Sequence, residues 1–411
     1  MNGKICFSSA DILIPKENLE KWSVIACDQY TSEPEYWEKA KKEAGEGPSA
    51  LKCILPEVYL SDNPEKRIEN ADKEMNSYLE NGVFEEYKDS LVFVKRKQSD
   101  GRIRKGIVGK IDLTCYDFSK QNDAEVRATE ETVLSRIPPR VKIRENAPLE
   151  MPHVMLLFDD PEDKIFGMLD KNSSEFKTLY NFDLMLGGGS ISGYSVDRAN
   201  KEFIFGALEQ IKNKHNGLLF CVGDGNHSLA TAKRCFEINP NELNRYALVE
   251  IVNIHDTALD FEPIYRVLFN VNPEEFIAEF SSFCESSGGK EEKEYTFVFG
   301  GKKITKSLKI KQKLAVAALT EFVDGFLSEH TETEVDYIHG IFSVEKLSEK
   351  KDTLGILFNG MKKSELFDAV LSDGSLPRKT FSMGHADDKR FYLEARNIKS
   401  RYNNSRGGFP A

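Results

Sequence analysis

The sequence lacks the features that would carry it into or across a membrane. Its longest apolar runs, Val154–Phe158 and Leu218–Val222, fall far short of the ~20 residues a membrane helix needs. The opening residues, Met1-Asn2-Gly3-Lys4-Ile5-Cys6-Phe7, contain no extended apolar core and no small-residue cleavage site, so no secretory signal is expected. Cysteines number 7, an odd count at wide spacing with no Cys-x-x-Cys pair, which excludes a disulfide framework and a zinc knuckle. A reducing cytoplasm is therefore the expected compartment. No His-x-x-x-His or Cys/His set builds a zinc site. A Walker A loop, a Rossmann glycine pattern after a strand and a G-x-S-x-G elbow are also missing. Positive charge is in deficit as well. Lys+Arg total 56 against 67 Asp+Glu, a net −11 that argues against nucleic acid and anionic membranes as partners. There is no repeat and no low-complexity segment.

What remains is an ordinary globular balance, with 40% hydrophobic and 30% charged residues. At 411 residues the chain exceeds the size at which one core stops growing. Two regions are expected: a main α/β domain over 1–271 and a smaller α/β region over 272–411, whose tail returns to the main site. The expected fold is α/β or α+β, a mixed sheet flanked by helices.

Periodicity supports this class. Asn63-Pro64 opens a helix carrying Ile68, Ala71, Met75 and Leu79 on one face, stopped by Asn81-Gly82. Leu91–Lys95, Gly106–Leu113 and Tyr246–Asn253 read as strands, and Val154–Phe158 and Leu218–Val222 as fully buried ones. Pro138-Pro139 is expected to break any helix in 125–144. Asn272-Pro273 caps a helix with Phe276, Ile277 and Phe280 inward. Tyr295, Phe297 and Phe299 alternate up to a Gly300-Gly301 hairpin turn. Leu354–Phe358 and Lys379–Ser382 read as further strands.

Four segments carry possible chemistry. In Gly223-Asp224-Gly225-Asn226-His227-Ser228 a buried strand ends, two glycines bracket an aspartate, and a helix begins at Asn226 or Ser228. Glycines allow close approach of backbone N–H groups to a ligand, and a helix N-terminus suits phosphate or carboxylate. Asp224 is then a metal ligand or a base, and His227 a donor to phosphate or a proton shuttle. A plain turn, with Asp224 or Asn226 as helix cap, fits the spacing equally well. The second segment, Arg127–Thr132 with Arg136 and Arg140, sets arginines beside Glu130 and Glu131. It is either a clamp for a polyanion or a solvated face laced with weak ion pairs. The third holds Arg378, Lys379, His385, Lys389 and Arg390, cations that close over an anion or form a basic surface loop. The fourth is Asp28, just past the short strand Val24–Cys27, where α/β proteins often face a ligand.

Taken together, these segments resemble the DUF1015 family. The family's D-G-H-H-R loop appears as Asp224-Gly225-Asn226-His227-Ser228, with Ala230 and Ala232 following. Its R-H-E-x-T motif is matched by Thr129-Glu130-Glu131-Thr132 with Arg136, and its tail motif by Leu376-Pro377-Arg378-Lys379-Thr380-Phe381. The chain departs from the pattern at Thr129, Asn226 and Ser228. The loop is also similar to one in the ParB/sulfiredoxin-like superfamily, which implies a ParB/sulfiredoxin-like core. Some members of that superfamily bind nucleotides and some phosphorylate free serine.

The resemblance implies a phosphotransfer enzyme of kinase or phosphatase type acting on a small hydroxylated metabolite such as serine or phosphoserine. Asp224, His227 and Glu130 would be catalytic. Gly223, Gly225, Asn226, Ser228, Arg127, Thr132, Arg136, Lys379 and Thr380 would hold phosphate. Mg²⁺ and a nucleotide or pyrophosphate are the implied cofactors, and a small anionic metabolite the implied partner. The alternative is a non-catalytic sensor that binds a nucleotide or metabolite at the same loop, which the substitutions at Asn226 and Ser228 favour. A ParB-like nucleic-acid binder is disfavoured by the charge.

Overall fold

The computed structural model describes residues 5–384 and 386–399; His385, one of the cations noted above, lies outside them. Two sheets organise the chain. The larger has ten strands, with Tyr246–Asn253, Met155–Phe158, Phe220–Asp224 and Val126–Ala128 adjacent near one end. Met155–Phe158 runs parallel to Tyr246–Asn253 and antiparallel to Phe220–Asp224, which is itself parallel to Val126–Ala128. The fold is thus mixed α/β, with helices packed on the sheet. Strand alternation explains the continuous apolar runs. Leu156, Phe158, Phe220 and Val222 pack with Ile204 and Leu208 of the helix Arg198–Lys214 and with Leu229 and Ala230. Met155, Leu157 and Cys221 face the other way, into a core shared with the second sheet.

That second sheet has six strands, all paired antiparallel, with Phe261–Phe269 flanked by Thr353–Phe358 and Glu334–His339. Phe276 and Phe280 of the helix Pro273–Ser286 and Phe326 of Ala315–Glu329 pack together against it. The Gly300-Gly301 pair links Glu291–Phe299 to Lys302–Ile310 as a hairpin, both glycines at positive φ.

Two sequence expectations need correction. Pro138-Pro139 does not break a helix; it opens one, Ile137–Arg144. Both prolines lie in the first turn, where no N–H donor is required. The strand expected at Lys379–Ser382 is instead Phe381–Met383, because Lys379 adopts φ 59° and turns the chain out of extended geometry.

The last described segment runs back over the larger sheet. Phe391–Tyr392 pairs with Val24–Ile25, and Arg396–Asn397 pairs with Leu149–Glu150. Beneath it lies a buried ionic cluster in which Arg96, Arg104 and Arg390 face Glu250 and Glu394. Among the described residues no helix is long and apolar enough to cross a membrane.

Candidate active site

The strand Phe220–Asp224 passes through Gly225, at φ 82°, directly into the helix Asn226–Ile238. The first helical bond runs from Leu229 N–H to Gly225 C=O (2.9 Å), which leaves the N–H groups of Asn226, His227 and Ser228 without helical acceptors. Both glycines are required by packing. A Cβ on Gly223 would lie 2.8 Å from Leu157 Cγ, and one on Gly225 would lie 2.9 Å from Val154 Cγ2. Gly225→Ala adds that clash to a left-handed backbone, so it is expected to destabilise the chain by about 1–3 kcal/mol. Denaturant unfolding checks this, and wild-type stability in the variant would refute it.

The turn forms one wall of a polar cleft of roughly 690 Å³. Of the residues singled out in the sequence, Glu130, Arg136, Gly223, Asp224, Gly225, Asn226, His227, Ser228 and Lys379 all line it, as do Asp28, Arg140, Arg378 and Lys389. Three are not brought in. Arg127 is buried, and its Nε–H donates to Ala124 C=O (3.0 Å). It sits on the strand Val126–Ala128 opposite Cys221, outside the cleft lining. Thr132 is buried beside the cleft. Thr380 turns its hydroxyl to Pro377 C=O, and only its backbone serves the site.

That service is to Glu130. Leu376 N–H donates to Thr129 C=O (2.7 Å) and Glu131 N–H to Leu376 C=O (3.1 Å), fixing the tail turn against this segment. Burial pushes the Glu130 carboxyl up to about 7, against the opposing pull of the Thr380 and Lys379 N–H groups and the charges of Lys379 and Arg266. Arg266 is buried under the turn, donates to Lys379 C=O (3.1 Å) and stacks over Tyr337 at 4.5 Å. The left-handed Lys379 is thus held from both sides, and backbone strain of this kind persists where the surroundings over-determine it.

Lys389 Nζ reaches Asp224 Oδ2 at 3.2 Å, and Gly225 N–H donates to the other carboxylate oxygen (2.8 Å). Arg140 pairs with Glu57, whereas Arg136 and Arg378 make no salt bridge among the described residues. Those two guanidinium groups are therefore available to an anion. His227 has a narrower role than expected. Val133 N–H donates to its Nε2 (3.3 Å), so that nitrogen is an acceptor and any donation must come from Nδ1. Burial, with Arg140 and Arg136 nearby, lowers its pKa to about 4, so it is neutral at physiological pH.

Sequence reasoning missed Glu57, Arg266, His153 and Tyr392. Their site partners lie 75 to 365 residues away along the chain, so no local pattern marks them. His153 Nε2 contacts Ser228 Oγ (3.0 Å) and lies 3.8 Å from Asp28 Oδ2. Burial pushes the Asp28 carboxyl up, but His153, the Gln29 side chain and Lys389 outweigh it and hold it below its ordinary value.

Among the described residues, the group of His and carboxylate side chains close enough to share an ion is Glu275, Glu279 and His330, outside this cleft. Asp28, Glu130 and Asp224 line the cleft without converging in that way.

The DUF1015 family, described as a protein of unknown function, matches residues 9–332. The chain belongs to the DUF1015 family. The match takes in the 223–228 loop and the 129–136 segment and ends before the tail turn that supplies Lys379 and Lys389. No curated protein matches the chain in sequence. Among solved structures it is similar to a free serine kinase in complex with AMP, at 10% identity over 71% of this chain and 91% of that one, TM-score 0.38. A conserved hypothetical protein from Pyrococcus furiosus gives 10% identity, 71% and 95% coverage and TM-score 0.36. C-terminally truncated SbnI from Staphylococcus aureus gives 10%, 67%, 82% and 0.35. At this distance none of these likenesses carries an argument about function.

Proposed function

We propose that this DUF1015 protein transfers a phosphoryl group to or from a small hydroxylated metabolite, with serine or phosphoserine the first candidates. The observation that carries the reading is Glu130. It is a carboxyl held near neutrality by burial, in a cleft that also presents free helix N–H groups and unpaired arginines. Phosphoryl transfer needs little more than charge neutralisation and positioning. The N–H groups of Asn226, His227 and Ser228 cradle phosphate oxygens. Arg136, Arg378 and Lys379 neutralise their charge. Glu130 accepts the proton of the attacking hydroxyl, and a pKa near the working pH suits that task. Asp224 holds Lys389 over the cleft; with a nucleotide or pyrophosphate donor, bound magnesium would supply further charge neutralisation.

The test is direct. Purified protein is incubated with serine and, in turn, ATP, ADP or pyrophosphate with magnesium, and phosphoserine is assayed in both directions. Turnover with one donor is expected; none with any donor would overturn the reading. Binding alone, seen as a thermal shift without product, would favour the sensor. Lys389→Ala removes a charge-assisted contact and is expected to weaken donor binding by about 10–100-fold, read as Kd by calorimetry. Unchanged affinity would remove Lys389 from the site.

A further inference from the structure

Ser228 stands at the boundary of two cavities. One is the polar cleft; the other is an apolar pocket of roughly 170 Å³ between the helix Asn226–Ile238 and Cys53, Met75 and Leu248. Behind the serine lies a connected set of hydrogen bonds. Cys27 N–H donates to the Tyr392 phenol oxygen (3.2 Å), and the phenol O–H donates to Cys27 Sγ (3.1 Å). The same oxygen lies 2.7 Å from His153 Nδ1, and with the phenol proton on Cys27 Sγ it is Nδ1–H that donates in this contact. His153 Nε2 is then left with a lone pair, and its neighbour is Ser228 Oγ at 3.0 Å. His153 and Tyr392 are both buried, so the ring is held in place.

A hydroxyl facing an imidazole whose other nitrogen is held by a third group is the geometry that activates serine. Two further features fit. Asp28 Oδ2, 3.8 Å from Nε2, favours the imidazolium that forms when the proton moves. The free N–H groups of Asn226, His227 and Ser228 are placed to receive oxygens on the atom under attack.

We propose that Ser228 is a nucleophile, with His153 its base and Tyr392 a positioning residue, and that it carries the phosphoryl group as a covalent phosphoserine between donor and acceptor. In the first half, Ser228 Oγ bonds to phosphorus as the bond from phosphorus to the donor's bridging oxygen breaks. The serine proton goes to His153 Nε2 and the donor leaves as an anion. In the second half, the acceptor hydroxyl bonds to phosphorus and its proton passes to Glu130. The Ser228 Oγ–phosphorus bond breaks, and His153 returns its proton to Oγ. The identity of the cargo rests on the phosphotransfer reading; the reactivity of the serine does not.

A fluorophosphonate probe tests the serine by itself, since attack on phosphorus expels fluoride whatever the natural substrate. Intact mass should show one adduct per chain, mapped by peptide sequencing to Ser228 and absent from Ser228→Ala. His153→Gln should slow labelling by about 100-fold. Tyr392→Phe, which releases Nδ1–H, should slow it by about tenfold and change its pH profile. Melting temperatures confirm folding, and Tyr392→Phe keeps the test open if His153→Gln fails to fold. No adduct on the folded wild type, an adduct elsewhere, or labelling indifferent to both variants would overturn the proposal. Phosphotransfer without an adduct on Ser228 would leave the function standing and remove the covalent step. An adduct without phosphotransfer would do the reverse.

Discussion

Arg390→Ala is expected to remove about 3–5 kcal/mol of folding stability, the cost of leaving buried charges without a partner. Arg390 is 2% exposed; its Nε lies 3.2 Å from Glu250 and its Nη2 2.7 Å from Glu394, which are 1% and 0% exposed. Burial works against the Arg390 charge, but Glu394 and Glu250 outweigh it and hold the proton on more firmly than usual. Removing the guanidinium strands Glu394 and leaves Glu250 with the longer Arg104 contact. Arg104 is 3.8 Å from Glu250 and makes no salt bridge to Glu394 among the described residues. Tyr180 donates to Glu394 but brings no charge. Arg390→Lys should recover part of the loss, because one ammonium cannot serve two carboxylates in the forked geometry of arginine. Equilibrium denaturation measures the difference; a loss below about 1 kcal/mol would show that the cluster is solvated or repacks. The same substitution should loosen the neighbouring Lys389 from Asp224, so anion binding should weaken along with stability.

Glu130→Gln is expected to lower phosphoryl transfer by about 10²–10⁴-fold, the usual contribution of a general base. Glutamine keeps the shape and can still accept the Thr380 and Lys379 N–H bonds, so the change isolates the proton-accepting step. In the wild type, kcat/KM should rise with pH through about 7 as the carboxyl ionises, and the variant should lose that limb. Stability gives an independent readout. A carboxyl raised from 4.5 to about 7 stabilises the fold fully below 4.5, and that contribution is lost as pH rises through 7. The loss is at most about 3 kcal/mol. Glu130→Gln should abolish this decline. His227 acts in the opposite sense. Lowered from 6.5 to about 4, it contributes stability present above 6.5 and lost as pH falls through 4, and that acid-side loss should persist in the variant. A wild-type rate that is flat from pH 5 to 9 would remove Glu130 from the base role.

The parts of the fold legible in the sequence are those where local physics and tertiary environment agree. The Asn272-Pro273 cap, the Gly300-Gly301 turn and the alternation at Tyr295–Phe299 each specify an element without reference to the rest of the chain. The 223–228 loop was legible for the same reason: a strand, an obligatory glycine and a helix start lie within six residues. Arg127 was misassigned to the anion clamp because a run of arginines does not reveal strand alternation. Pro138-Pro139 misled because proline breaks a helix only beyond its first turn. Nothing local to Arg96, Arg104 or Glu250 signals the partner that allows their burial. His153 and Tyr392 lie 239 positions apart in the sequence and meet only in the tertiary fold.

The tail that crosses the larger sheet has a consequence for the order in which the protein is made. Lys379 and Lys389, the N–H groups that reach Glu130, and Tyr392 behind His153 all lie between residues 376 and 392, long after the glycine loop in chain order. A ribosome-bound chain halted before residue 376 holds the glycine loop and Glu130 but none of these partners. The cleft is therefore completed only once residues 376–392 have been made, and a chain halted before them presents an incomplete pocket.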